Sequence, residues 1–246
     1  MSKNKKVDND NIPPLNCLYF YLTEGCNLAC RHCWIEPKFD AEGKKYPALP
    51  VELFETAIRE AKPLGLNRVK LTGGEPLLHP QLTTLLEIIR REKLVLSIET
   101  NGLLCTPEIA AEIAQSPNRS VSVSIDGADA ATHEWVRGVK GSFELAQEAV
   151  RNLVAVGISP QIIFSVMPCN VGQVDAVVRM AEDLGASSVK FNIVQPIARG
   201  ERLHENDDTL GIEALIDLGH HVEMELAKNT EVNLFFDYPM AFRALS

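Results

Sequence analysis

The chain has 246 residues, 46% of them hydrophobic, and a formal net charge of −9 at pH 7. This length and composition suffice to bury the core of one large α/β domain. The acidic balance argues against a nucleic-acid partner, which requires basic patches, and no apolar run approaches the roughly 20 residues that cross a membrane.

The chain begins with a charged segment that has no secretion signal. Residues 1–11 lack the apolar centre of a signal peptide, so residues 1–15 are predicted to form a disordered tail. Six cysteines could form three disulfides in a secreted protein, but three of them crowd into eight residues. We therefore expect free thiols and a reducing cytoplasm.

Short β-type runs alternate with amphipathic stretches from residue 16 onward. The predicted strands are Leu18–Leu22, Arg68–Leu71, Val95–Glu99, Ser120–Ile125, Gln161–Val166 and Ser188–Ile193. The predicted helices between them are Val51–Leu64, Gln81–Glu92, Pro107–Ser116, Phe143–Val156 and Val174–Leu184. Six such repeats predict an α/β fold, a partial (β/α)6 TIM-like barrel with parallel strands and right-handed crossovers.

The predicted strands are rich in Val, Ile and Phe, and most lack polar alternation throughout, which is typical of parallel strands covered on both faces. We assign residues 16–200 to this barrel. Residues 201–246 add a helix over Gly211–Lys228 and a strand over Val232–Phe236. Functional residues are expected just after the carboxyl ends of the strands.

Three cysteines follow the first predicted strand at the spacing C-x3-C-x2-C: Cys26, Cys30 and Cys33. Three thiolates on one loop can hold three irons of a 4Fe–4S cluster and leave the fourth iron open to a substrate. The alternative is a zinc- or iron-binding module without catalysis. A structural zinc site needs four ligands, and His32 is awkwardly placed to be the fourth.

The second predicted strand ends in the sequence Thr72-Gly73-Gly74-Glu75-Pro76. Two glycines allow the backbone to approach a ligand closely, Glu75 can accept from an ammonium group, and Pro76 restricts the turn. Alone, this segment would be interpreted as an ordinary strand-to-helix turn. After the cysteine loop, it indicates a ligand site.

Together the two motifs resemble the radical S-adenosylmethionine (radical SAM) superfamily. The resemblance implies that Cys26, Cys30 and Cys33 bind a 4Fe–4S cluster whose open iron binds S-adenosylmethionine. It implies that Gly73, Gly74 and Glu75, followed by Pro76, bind the amino group of that cofactor. An electron from the cluster then splits the sulfonium bond, and the 5′-deoxyadenosyl radical abstracts hydrogen from a substrate. An external donor such as flavodoxin or ferredoxin is also implied.

Five further residues correspond to softer features of the family. Asn101 lies in a TNG strand ending, Ser124 and Asp126 lie in an SxDG segment, and Arg137 resembles the arginine that pairs with the cofactor carboxylate. His32 matches the residue before the third cysteine, which lies near the adenine. The structural alternatives are a turn or helix cap for Ser124 and Asp126, a surface salt bridge for Arg137, and a solvent-facing loop histidine.

Other residues near the strand ends received weaker interpretations. Trp34 is expected to pack in the core, and Cys105 and Cys169 are expected to be small buried hydrophobic residues. Three more residues could reach adenine or substrate: Ser165, Asn192 and Gln195. No catalytic residue is assigned from the sequence.

Residues 120–142 most resemble the SPASM-type, peptide-modifying branch of the superfamily, the RiPP maturases. This resemblance implies a peptide substrate that is crosslinked or epimerised. The alternative is a haem precursor, another tetrapyrrole or another small molecule. The cysteine-rich extension of that branch is absent from the sequence given, so we expect either a truncated chain, which we favour, or a member with one cluster.

Overall fold

A computed structural model describes residues 13–39 and 46–236. Residues 1–12 of the predicted tail lie outside the described residues. So do residues 237–246, where the C-terminal region was expected to lead into an extension.

The described strands and helices include the predicted alternation and add elements that the sequence did not predict. The strands are β1 (Cys17–Tyr21), β2 (Gly25–Cys26), β3 (Lys38–Phe39), β4 (Arg68–Thr72), β5 (Val95–Thr100), β6 (Arg119–Ser124), β7 (Gln161–Val166), β8 (Ser188–Ile193) and β9 (Asn233–Phe236). The helices are α1 (Val51–Ala61), α2 (Leu82–Arg91), α3 (Pro107–Ala114), α4 (Ala130–Arg137), α5 (Ser142–Ala155), α6 (Val174–Leu184), α7 (Arg199–Glu205) and α8 (Ile212–His220). A π-helical turn (His221–Glu225) and a 3-10 turn (Leu226–Lys228) continue α8. The strands β2 and β3 and the helices α4 and α7 were not predicted from the sequence.

Seven of these strands form one sheet in the order β1-β4-β5-β6-β7-β8-β9, and every neighbouring pair is parallel. The predicted α/β class and parallel sheet are therefore confirmed. The strand β9 pairs with β8 and thereby adds a seventh strand to the six that were predicted for the barrel. The strands β2 and β3 form a separate two-stranded ladder beside the cysteine loop.

The helices α1, α2, α3, α5, α6 and α8 contribute buried apolar residues to the core that they form with the sheet, whereas those of α4 and α7 belong to a separate small cluster. In α2, an apolar stripe of Leu82, Leu85, Leu86 and Ile89 is buried. Two helix starts are capped by side chains. Thr106 accepts from the backbone of the third residue of α3, and Asp129 does the same for α4.

The expectation that most strands are covered on both faces is wrong for the middle of the sheet. Buried and partly exposed residues alternate along β4, β5 and β6. The buried set packs against the helices, whereas the other set faces the inside of the open barrel. Only one face of these strands is therefore sealed by apolar packing. The strand β7 does fit the expectation, since all but its first residue are buried.

Candidate cofactor site

A cleft of about 980 Å³ lies on the inner face of the sheet, at the carboxyl ends of the strands. It brings together ten of the twelve predicted site residues: Cys26, Cys30, His32, Cys33, Gly73, Gly74, Glu75, Asn101, Ser124 and Arg137. The other two, Pro76 and Asp126, are buried behind its wall. Ser165, Asn192 and Gln195 line the same cleft.

The cysteine loop is anchored to the end of α4 by its own backbone. The amide of Ala29 donates to the carbonyl of Arg137 over 3.1 Å, and the amide of Arg31 donates to that of Val136 over 2.9 Å. Cys26 and Cys30 are buried on this loop. Burial, assisted by the nearby Glu75 carboxylate, raises the pKa of Cys26 to about 12. This thiol therefore holds its proton until a metal displaces it.

Glu75 is 1% exposed, and three donors fix its carboxylate. Oε1 accepts from the amide of Leu77 over 3.0 Å and from Oγ1 of Thr100 over 2.6 Å, whereas Oε2 accepts from the amide of Asn101 over 2.8 Å. Burial raises the pKa of Glu75 despite these donors. Since a carboxylate has about four acceptor positions, Oε2 keeps one for a ligand, and a bound ammonium would stabilise its charge.

The glycines before Glu75 also allow a close approach within the protein itself. A Cβ at Gly74 would lie 1.9 Å from the carbonyl oxygen of Gly25, and Gly73 has a φ of 125°. The close approach is therefore to the chain just before Cys26. The amide of Glu75 donates to that same Gly25 oxygen over 2.8 Å.

Asn101 links the end of β5 to the cysteine loop. Its Nδ2 donates to Oδ1 of Asn27 over 2.7 Å and to Sγ of Cys26 over 3.8 Å. Its Oδ1 accepts from the amide of Leu103 over 3.0 Å. Asn101 is thus placed to orient a cysteine as well as to face the cleft.

Arg137 and Asp126 form a buried ion pair, with 2.7 Å between Nε of Arg137 and Oδ2 of Asp126. The surface salt bridge considered for Arg137 is therefore wrong. Burial opposes the charge of Asp126, but Arg137 and then His32 lower the pKa of its carboxyl below the usual value. Oδ1 of Asp126 accepts from the amide of Ser165 over 2.7 Å.

His32 is not the solvent-facing loop histidine of the alternative interpretation. Its side chain is 14% exposed, and its Nε2 lies 3.7 Å from Oδ2 of Asp126. Burial lowers the pKa of His32 to about 4, although Asp126 acts in the opposite direction. The imidazole is therefore neutral at pH 7.

The solvent exposure of three side chains tests the burial that was predicted for them. Trp34 was expected in the core but is 52% exposed, with its ring edge-on to Tyr21 at a centroid distance of 6.2 Å. Cys169 was expected to be buried but is exposed, because it lies in the loop after β7. Cys105 is buried as predicted.

Arg199 is a site residue that the sequence did not reveal. Its Nη1 donates to the carbonyl of Cys30 over 3.3 Å, and its Nη2 donates to that of Pro37 over 3.0 Å. Its amide donates to the carbonyl of Cys33 over 3.1 Å. The preceding Ala198 has a φ of 51°, an unfavourable backbone for a residue with a Cβ. No sequence pattern could link Arg199 to a loop about 170 residues earlier.

Tyr19, Tyr21, Lys70 and Glu99 were also missed, although a signal for them exists. They occupy alternate positions of β1, β4 and β5 and line the cleft. Lys70 pairs with Glu99 and lies 5.1 Å from the centre of the Tyr19 ring. Period-two alternation in these strands would have identified them.

The donor set fits an iron–sulfur cluster. A single metal ion needs ligands that converge on one point, and no three His, Cys, Asp or Glu side chains do so within residues 13–39 and 46–236. A 4Fe–4S cluster binds each thiolate at a different iron, so its ligands can lie further apart. All three thiols of the loop line one cleft, and the sulfurs of Cys26 and Cys30 each have an N–H donor.

The fold and this site define a radical SAM protein. Residues 20–184 match the family described as the Radical SAM superfamily, and the chain belongs to it. The family uses a 4Fe–4S cluster and S-adenosylmethionine, which confirms the predicted cofactors and the enzyme class. Within the described residues, no helix is long and apolar enough to cross a membrane.

Curated relatives include two kinds of enzyme. Mycofactocin maturase MftC of Mycobacterium ulcerans is 34% identical over 194 residues, which are 76% of this chain and 51% of that protein. An AdoMet-dependent heme synthase of Nitratidesulfovibrio vulgaris is 30% identical over 203 residues, which are 80% of this chain and 53% of that protein. The chain thus spans about half the length of these relatives.

Solved structures share the fold. Streptococcus suis SuiB, solved with the precursor peptide SuiA, superposes with a TM-score of 0.74 at 19% identity. The match covers 93% of this chain and 50% of SuiB.

Proposed function

We propose that this chain cleaves S-adenosylmethionine reductively and uses the resulting radical to abstract hydrogen from a peptide substrate. The observation that carries this proposal is the meeting of three cysteine thiols with Glu75 in one cleft. Under this proposal, the thiols would bind iron and Glu75 would bind the ammonium of the cofactor. The peptide would be modified by crosslinking or epimerisation.

Cys26, Cys30 and Cys33 would hold the cluster. When bound and reduced, the cluster supplies the electron that splits S-adenosylmethionine into methionine and the 5′-deoxyadenosyl radical. Glu75 would accept from the cofactor's ammonium through the free acceptor position of Oε2. Ser124 lines the cleft at the end of β6, where its hydroxyl suits the ribose or methionine end of the cofactor.

The inner face of the barrel would orient the substrate and restrict water around the reacting carbon. Tyr19 and Tyr21 form its β1 wall, and apolar Ile163 and Phe191 contribute on β7 and β8. A carbon radical must be kept from solvent and oxygen, so a cleft between strands and a covering loop suits it.

A peptide is favoured over a tetrapyrrole by the charges of this cleft. Haem precursors carry several carboxylates, which call for unopposed cations. Here Lys70 is paired with Glu99 and Arg137 with Asp126. Lys190, which also lines the cleft, is not without a partner. The tetrapyrrole alternative stays in view because a heme synthase is nearly as similar to the chain as the maturase. A maturase and a peptide-bound neighbour support the peptide.

The cleavage consumes an electron, so we propose an external donor such as flavodoxin or ferredoxin and a reducing cytoplasm. Free, buried Cys26 and Cys30 agree with that setting.

The test is anaerobic reconstitution with iron and sulfide, followed by dithionite and S-adenosylmethionine. The protein should release 5′-deoxyadenosine, and Cys30→Ala should reduce this release to background. Cys17→Ala is the matched control, because Cys17 opens β1 at the opposite end of the strand from the cysteine loop. No release from protein with a full cluster would refute the proposal.

Substrate class is tested separately. Candidate precursor peptides encoded beside this gene and an iron-bound porphyrin precursor are each added to the reconstituted protein. The peptide should gain a mass change that depends on S-adenosylmethionine. Turnover of the porphyrin alone would reverse the assignment.

A further inference from the structure

A buried ion pair lies directly behind one cysteine of the loop. Asp126 is 0% exposed and Arg137 is 6% exposed. Nε of Arg137 lies 2.7 Å from Oδ2 of Asp126, and its Nη1 donates to Sγ of Cys30 over 3.6 Å. The ion pair therefore ends on a sulfur atom that is expected to bind iron.

The carboxylate of this pair is fixed from the opposite side. Oδ1 of Asp126 accepts from the amide of Ser165 over 2.7 Å, and its carbonyl accepts from Nδ2 of Asn170 over 3.0 Å. Its amide donates to Nδ1 of His133 over 3.1 Å. With its backbone and one oxygen held, Asp126 defines where the guanidinium of Arg137 must lie.

The contact between the two side chains is electrostatic rather than directional. Nε of Arg137 and Oδ2 of Asp126 are buried, and neither makes a hydrogen bond of good geometry. Charges in a dry interior act strongly on their neighbours because water does not screen them. A cation beside a cluster sulfur stabilises the extra negative charge of the reduced state and raises the reduction potential.

We propose that Arg137 sets the reduction potential of the cluster through the sulfur of Cys30, and that Asp126 is a positioning residue. Asp126 holds the guanidinium and partly offsets its charge. The step is a one-electron transfer to the cluster from the sulfur dioxide radical anion, which forms when the S–S bond of dithionite breaks and which is oxidised to sulfite; no bond of the protein or the cluster forms or breaks. The inference rests on the proposed function, since it requires a cluster on Cys30.

The test is an anaerobic redox titration of the reconstituted full chain, followed by electron paramagnetic resonance and without S-adenosylmethionine. In Arg137→Met, the ratio of reduced to oxidised cluster at a fixed potential should fall at least tenfold, which is 59 mV for a one-electron couple. In Asp126→Asn the ratio should rise, because the guanidinium is no longer opposed. Lys140→Gln removes an exposed charge just beyond α4 and should leave the ratio within twofold.

Shifts of opposite sign in the two variants separate an effect on the reduction potential from general damage to the fold. A loss of packing would move both variants in one direction, and that result would overturn the inference. Unchanged potentials at full iron content would overturn it too, while leaving the proposed function intact. A wild-type chain that takes up no cluster would instead refute the proposed function.

A double variant keeps the test decisive if Arg137→Met leaves Asp126 uncompensated and fails to fold. Asp126→Asn combined with Arg137→Met removes both buried charges and avoids an unpaired one. Compared with Asp126→Asn alone, it should show the tenfold lower ratio. Equal ratios in these two variants would overturn the inference.

Discussion

Replacing Gly74 with alanine should displace the cysteine loop. The new Cβ would lie 1.9 Å from the carbonyl oxygen and 2.6 Å from the carbonyl carbon of Gly25. Both are backbone atoms, so the carbonyl oxygen of Gly25 must move by about 1.5 Å to reach ordinary contact. That movement strains the hydrogen bonds from Gly74 to Thr23 and from Glu75 to Gly25. Overpacking of this kind costs about 1–3 kcal/mol.

Two measurements check this substitution. Chemical denaturation gives the free energy of unfolding, and iron analysis after anaerobic reconstitution gives the cluster content. We expect Gly74→Ala to lower both. Gly172→Ala is the matched control, since a Cβ there has nothing within 4 Å and should be neutral or slightly stabilising. If Gly74→Ala unfolds like wild type and holds as much iron, the packing argument for the Gly-Gly motif is wrong.

Two further perturbations test the surroundings of the site. Arg199→Ala removes donors to the carbonyls of Cys30 and Pro37 and should increase the rate of iron loss to a chelator several-fold. The control is Arg202→Ala, which changes an exposed residue of the same helix and should leave that rate unchanged. Equal rates of iron loss in the two variants would refute the role of Arg199. His221 donates from Nε2 to Oδ1 of Asp175 over 2.6 Å and from Nδ1 to Oε2 of Glu225 over 3.1 Å, and these contacts raise its pKa. Its stabilisation is therefore fully present below about pH 6.5, the usual value, and is lost as pH rises through the raised pKa. His221→Gln should lower the free energy of unfolding by no more than about 1 kcal/mol at pH 5.5, because the side chains are partly exposed, and by less at pH 9. A loss of stability that grows as the pH rises would contradict this expected pH dependence.

The order of elements could be predicted from the sequence because each strand and helix carries its own periodic signal. The stripe of α2 and the six strands are examples. Which face of each strand is buried was harder to predict. Apolar residues such as Val69 and Leu71 dominated the interpretation of β4, while Lys70 between them was passed over. Since an open barrel has one wet face, such polar residues mark the cleft.

The site could be predicted only where chemistry lies in short motifs. Cys26, Cys30 and Cys33 needed no tertiary information. Arg199 reaches this loop because of the turn after β8, and nothing local in the sequence encodes that contact. Asp126 is predicted to bind the cofactor, but it lies fully buried behind the wall of the cleft, and this burial depends on packing against β7.

Residues of one motif of the site hydrogen-bond to residues of another, so a substitution in one motif can displace a residue of the other. Glu75 binds the loop backbone at Gly25 through its own amide, and Asn101 donates to the sulfur of Cys26. Loss of activity in a variant at either position can therefore arise from weaker cofactor binding or from a misplaced cluster ligand. Iron content separates these causes, because a residue that acts on the cofactor alone leaves the cluster fully occupied. The same measurement should accompany every kinetic comparison of variants around this cleft.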